Sequence, residues 1–264
     1  MQSTSVAFAA VKDKADAIAE RLGSLTREER IQRGVDAYGW SPDCQCDRCG
    51  DQGVTPLAKE YCQCVAGSQR RIADRETEIA AEWDRRWTTA GVPKRFRGYR
   101  LASSPLNDTP LERVHVDRVR EWLASDPVKS GANLLVFGGV GVGKTGLAIG
   151  ALHELHTSGA SRLQFVSTSA LIDALKPGGD EAVMQSCQRA DVLALDDLGT
   201  TRGTDWERDR LYALLNARYE DQRPTIVTTN VTLVDLADSV GERIASRLIE
   251  GATMVSIGGS DRRR

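Results

Sequence analysis

From residue 131 onward, short apolar runs alternate with longer stretches whose apolar residues recur every three or four positions. The runs at 133–137, 163–167, 191–195, 225–229 and 252–257 have the length and composition of strands. Between them, 143–157, 169–175, 180–189, 204–221 and 241–249 carry helical periodicity. Parallel strands need a crossover, usually a helix, so strict alternation predicts an α/β fold: a parallel five-stranded sheet flanked by helices.

The first hundred residues are patterned differently. Residues 5–22 alternate apolar and charged groups at helical spacing, and Thr26 with Glu29 forms the signature of a capping box at a second helix start. Residues 41–66 are rich in Gly, Pro and Cys and show no period, so something other than a hydrophobic core must order them. Residues 67–90 read as a helix with Ile72, Ile79, Trp83 and Trp87 as its apolar stripe, stopped by Gly91 and Pro93. The expected organisation is a smaller helical domain over 1–90, a connection over 91–110 and the α/β domain over 111–264.

The strand at 133–137 runs directly into Gly138-Gly139-Val140-Gly141-Val142-Gly143-Lys144-Thr145. This is a phosphate-binding P-loop in its required context, strand before and helix after. Glycines let backbone N–H groups curl around phosphate oxygens, and the helix N-terminus adds its positive end. Lys144 is placed to reach the β- and γ-phosphates of ATP, and the Thr145 hydroxyl to ligate Mg²⁺. The strand at 191–195 ends in Asp196 and Asp197. Asp196 is expected at the Mg²⁺ and Asp197 at the attacking water. The strand 225–229 leads to Asn230, which a parallel sheet would bring beside the P-loop, where it would orient that water.

Five of the six cysteines (Cys44, Cys46, Cys49, Cys62 and Cys64) fall within 21 residues. A nucleotide motif points to the cytoplasm, where clustered cysteines are metal ligands more often than disulfides. Cys46-x2-Cys49 and Cys62-x-Cys64 supply four thiolates for a tetrahedral Zn²⁺, with Cys44 an alternative to Cys46. Cys187 is expected as a small core residue on a helix.

Charge and hydropathy narrow the function classes. The net charge is −2, with +2 over residues 1–100 and −4 over the rest, so nucleic-acid contact must come from local patches. Lys94-Arg95-Phe96-Arg97-Gly98-Tyr99-Arg100 combines cations and aromatics, which suits single-stranded nucleic acid or, equally, a basic segment packed on the α/β domain. Lys176 and Arg189 are further basic candidates, and His153 and His156 read as a solvated helix face. No apolar run approaches the roughly 18–20 residues that span a membrane, and the N-terminus lacks a basic stretch ahead of an apolar core, so it reads as mature cytoplasmic protein.

Together the motifs resemble the AAA+ ATPases, and more closely the DnaC/DnaI-type replicative helicase loaders and the related IstB transposition helpers. Gly91-Val92-Pro93-Lys94-Arg95-Phe96 resembles the lead-in to the ATPase domain, and Leu195 through Gly199 the family's magnesium-site strand. Trp206 through Tyr219 is similar to its central helix, and Gly241 through Leu248 to its box with a trans-acting arginine. The resemblance implies an AAA+ (ASCE) P-loop fold without a separate lid and ATP hydrolysis at a low basal rate. Arg247 matches the arginine that reaches a neighbouring subunit's ATP, with Arg243 as its competitor, and Arg263 matches the arginine that contacts the γ-phosphate in cis. Asp197 stands where many relatives carry Glu. The implied partners are a replicative helicase, single-stranded DNA and further copies of the chain. The cysteine pairs resemble the N-terminal zinc segment of DnaI-like loaders, which IstB-type proteins generally lack.

Overall fold

The computed structural model describes residues 25–56, 59–199, 203–259, 261 and 262. The helix expected over 5–22 and Arg263 lie outside the described residues. The chain divides into two compact units whose boundary falls between Trp83 and Asp84.

In the first unit, α1 (Arg27–Tyr38) starts at the expected capping box, with both Thr26–Glu29 hydrogen bonds made. Ile31, Trp40 and Cys44 form a small apolar cluster beside it. The Cys-rich segment has two arms joined by an antiparallel bridge between Val54 and Tyr61. Asp51 fixes the first arm by accepting from the backbone amides of Gln45 (2.6 Å) and Cys46 (2.9 Å). Helix α2 (Val65–Thr89) begins directly after Cys64 in this unit and ends in the second.

The second unit is built on β1 (Leu134–Gly138), β2 (Leu163–Ser167), β3 (Val192–Asp196), β4 (Thr225–Thr229) and β5 (Thr253–Ile257), all parallel, in the order β2-β3-β4-β1-β5. Every residue of β3 and β4 is buried. This is why β3 reads as a near-continuous apolar run and neither strand alternates; β4 buries Thr225, Thr228 and Thr229 along with Ile226 and Val227. The helices are α3 (Pro110–Ala124), α4 (Pro127–Ser130), α5 (Lys144–Thr157), α6 (Thr168–Ala174), α7 (Glu181–Arg189), α8 (Asp205–Glu220), α9 (Leu233–Val240) and α10 (Glu242–Ile249). Cys187 is buried in the core, as expected. Arg218 is buried too, and its guanidinium caps backbone carbonyls of Cys187 (2.7 Å) and Ala190 (2.9 Å) at the end of α7.

Two expectations change. Residues 91–110, expected as a connection, belong to the second unit: Val92, Leu101 and Leu106 are buried, and Tyr99 and Leu101 seat on α5. Gly146 and Gly150 permit this approach, since a Cβ at either would fall within 2.7 Å of Tyr99 or 2.6 Å of Leu101. His153 is not solvated; it is buried against the Trp87 ring at 4.0 Å, and its Nε2 meets Arg100 at 2.9 Å. Burial and the neighbouring guanidinium pull its pKa down to about 4. Helix α5 is buried on almost every side, so its sequence could not mark one solvent face.

Candidate functional site

Parallel alignment puts the C-terminal ends of β1, β3 and β4 side by side, and the polar residues that follow each strand meet there. Gly143 caps α5 with φ of 104°, a conformation that costs glycine nothing and opens the loop around the helix N-terminus. Lys144 is 5% exposed, and its Nζ donates to the carbonyls of Gly138 (3.0 Å) and Gly139 (2.6 Å) and to Asn230 Oδ1 (2.5 Å). The lysine is thus folded into the loop, its three donors on acceptors that a phosphate would replace.

The Thr145 hydroxyl donates to Asp196 Oδ1 at 3.0 Å, and the Thr228 hydroxyl to the same oxygen at 2.5 Å. Burial raises the Asp196 carboxyl above its usual range, Thr228 opposes this, and the Asp197 charge adds to it. The raised affinity for a proton marks a carboxylate that a divalent cation would stabilise. Hard oxygen ligands from a hydroxyl and a carboxylate fit Mg²⁺, so Thr145 and Asp196 are the pair that would hold it. Asp197 is exposed to the pocket in the left-handed region (φ 56°). Its amide donates to Thr228 Oγ1 (3.0 Å), and Asn230 Nδ2 donates to its Oδ1 (3.4 Å). Thr228 therefore orients both acids.

These groups open onto a pocket of about 340 Å³ bounded also by Val140, Gly141, Arg95, Phe96 and Arg262. That volume lies within the range of small-molecule sites. The sequence places Arg95 and Phe96 in a basic segment rather than at the nucleotide, and it does not mark Arg262 or Thr228 as site residues. Arg262 pairs with Glu112 on α3, and its backbone N–H donates to Gly141 O (3.1 Å), which seats the C-terminal segment on the P-loop. Arg97 and Arg100 are engaged with Asp84 and His153, so the basic segment packs on its own unit. Lys176 is exposed and paired with Asp173.

Arg247 lies elsewhere. It borders a cavity of about 430 Å³ with Asn133 and Tyr219. Its guanidinium rests 5.0 Å from the Tyr212 ring centroid and 5.5 Å from that of Tyr219, and donates to Tyr212 Oη (3.3 Å). Arg243, one turn earlier on α10, is exposed.

In the first unit, the Sγ atoms of Cys46, Cys49, Cys62 and Cys64 all lie within 4.8 Å of one another. Cys46–Cys62 and Cys49–Cys64 are each 3.5 Å apart, far beyond the roughly 2.05 Å of a disulfide. Four thiolates on one Zn²⁺ at about 2.3 Å would sit roughly 3.8 Å apart, so the set fits that ion. The Gly67 amide donates to Cys64 Sγ (3.4 Å) and pulls its pKa down to about 7, whereas burial pushes Cys49 up to about 12. Cys44 points away into the Ile31–Trp40 cluster and is not in the set. No helix among the described residues is long and apolar enough to cross a membrane.

Comparison with known proteins agrees with this geometry. The family described as IstB-like ATP binding protein matches residues 112–264. The phage-like element PBSX protein XkdC of Bacillus subtilis (strain 168) is 30% identical over 125 residues, which are 45% of this chain and 47% of that protein. The chain thus spans about half the length of that relative. A crystal structure of the DnaC helicase loader superposes with a TM-score of 0.56 at 28% identity, over 62% of this chain and 99% of that one. A crystal structure of DnaI gives 0.56 at 27%, over 65% and 94%.

Proposed function

Because the chain belongs to the IstB-like ATP binding protein family, we propose that it is an ATPase acting as a helicase loader, which binds a replicative helicase and delivers it to single-stranded DNA. The observation that carries this reading is a four-thiol module preceding a phosphate pocket in a fold that resembles the DnaC helicase loader and DnaI. Residues 1–90 are assigned to the helicase and residues 111–264 to ATP, in the cytoplasm. Zn²⁺ held by Cys46, Cys49, Cys62 and Cys64 would order the first unit.

When ATP binds, Lys144 exchanges its carbonyl partners for phosphate oxygens, and Gly138 through Gly143 present backbone amides to them. Mg²⁺ held by Thr145 and Asp196 would offset the phosphate charge. Asp197 accepts the proton of the attacking water while Asn230 fixes that water's position. Arg263 keeps the cis role expected of it, with Arg262, which borders the pocket, as the alternative. Arg247 acts on a neighbouring copy's nucleotide, which requires it to leave Tyr212 and Tyr219; Arg243 is the alternative.

The test is native mass spectrometry of the chain with its host's replicative helicase, with and without ATP. A complex that is lost in the Cys62→Ser/Cys64→Ser variant is expected. Absence of any complex under all nucleotide conditions contradicts the reading. The family match itself supports a second reading, an ATP-dependent helper that remodels DNA for a transposase. That reading predicts binding to a transposase, and none to a helicase.

A further inference from the structure

Helix α2 carries an apolar stripe that its own unit does not cover. Val65, Ile72 and Ile79 are 74%, 59% and 43% exposed, although isoleucine is among the residue types most often buried. Their seven-residue spacing keeps all three within about 40° of one another around the helix. The cysteine module packs on the far side of the same helix. There Asp74 accepts from Tyr61 Oη (2.9 Å), and Arg70 donates to Gln52 O (3.2 Å). Asp74 lies about 200° around the helix from Ile72, so the stripe faces away from the module.

The charges beside the stripe say what covers it. Arg71, Arg75, Glu78 and Glu82 fall at i, i+4, i+7 and i+11, so they form a single flank, basic toward its start and acidic toward its end. Arg75 and Glu78 are 73% and 70% exposed, with only a loose 3.6 Å contact to each other. We propose that this face of α2 binds a second copy of the chain, antiparallel, about a two-fold axis between Ile72 and Ile79. A two-fold pair of antiparallel helices sets each flank against the same flank of its mate. Ile72 then packs on Ile79 of the second copy, Arg75 meets the acidic end around Glu78, and Arg71 approaches Glu82. A parallel pair would set this flank against the opposite one, Gln69, Ala73, Glu76 and Ala80, and would forgo these charge pairs. The contact is independent of nucleotide and is separate from the assembly through α10 proposed above.

Sedimentation equilibrium of the full chain without nucleotide tests this. A reversible dimer is expected, unchanged in Lys144→Ala, with association at least tenfold weaker in Ile72→Glu/Ile79→Glu and in Arg71→Glu/Arg75→Glu. Adding Glu78→Arg and Glu82→Arg to the latter variant restores opposite charges across the two-fold axis and is expected to restore the dimer. Far-ultraviolet circular dichroism confirms that these surface variants keep their helices. A monomeric wild type, a dimer that survives Ile72→Glu/Ile79→Glu, or a charge reversal that the added substitutions fail to rescue overturns the proposal.

Discussion

Lys144, Thr145 and Asp196 hang from the ends of β1 and β3, strands buried at the centre of a five-stranded sheet. Cys46, Cys49, Cys62 and Cys64 sit in a segment whose nearest apolar support is Ile31, Trp40 and Cys44. The first group is positioned by a core that exists whether or not ligand is present. The second has almost no buried apolar area to offset the conformational entropy of ordering it. One site is therefore a consequence of the fold, whereas on the proposed zinc ligation the fold around the other would be a consequence of its site.

Metal removal should separate the two regions most sharply. Structural zinc contributes on the order of 10 kcal/mol or more to the folding of small metal-ordered modules. Chelation, or Cys62→Ser/Cys64→Ser, is expected to abolish hydrogen-exchange protection over residues 44–64. The midpoint of the second unit should move by no more than a few degrees. Loss of protection in β1 and β3 as well would break the distinction.

The next largest effect concerns Lys144. Lys144→Ala should weaken binding of a fluorescent ATP analogue by about 100-fold or more, or roughly 3 kcal/mol, with Zn²⁺ content unaltered. A change of less than threefold would mean that the loop does not grip phosphate.

His153 sharpens the account of the second unit's stability. Its folded pKa, about 4, lies below the 6.5 of the unfolded chain. The neutral ring contributes stability that is complete above 6.5 and lost as pH falls through 4, by up to about 3 kcal/mol. Thermal unfolding of wild type and His153→Gln between pH 7 and 4 should therefore converge on acidification. Parallel curves would contradict the burial argument.

The smallest effect comes from Asp196. A carboxyl whose folded pKa is raised costs stability above that pKa and ceases to as pH falls toward its ordinary range. Asp196→Asn should thus stabilise the metal-free protein at pH 7, on the order of 1 kcal/mol, with the gain vanishing in acid. A loss of stability at pH 7 would show that Thr145 and Thr228 outweigh burial.

Some of this was readable from the residues and some was not, for physical reasons. The P-loop and the five strands are contiguous patterns, and chain order with parallel pairing suffices to bring Asn230 to Lys144. Cys46 could not be chosen over Cys44 from spacing, because the choice depends on how Trp40 folds back over Gly34 and Gly50. Arg95 and Phe96 reach the pocket from a single 3-10 turn (Lys94–Phe96) and Arg262 from the C-terminal segment, and neither carries a periodic signal. Thr228 looks like one more strand residue until β4 is placed against β3. Helix α3 is not among the expected elements, although Thr109, Pro110 and Glu112 form a start signal, because the strand–helix alternation that marks the domain begins only at residue 131. Helix α9, no shorter than α6 or α10, is also absent from the expected elements, although Thr232 caps it through the Asp235 amide.

The most direct test of the central claim is phosphate release from ATP and Mg²⁺, with and without single-stranded DNA, for wild type, Lys144→Ala and Asp197→Asn. The account predicts slow release by wild type, none by Lys144→Ala, and an Asp197→Asn variant that still binds the ATP analogue but no longer hydrolyses ATP. Release by Asp197→Asn at the wild-type rate, or none by wild type under any condition, would contradict it.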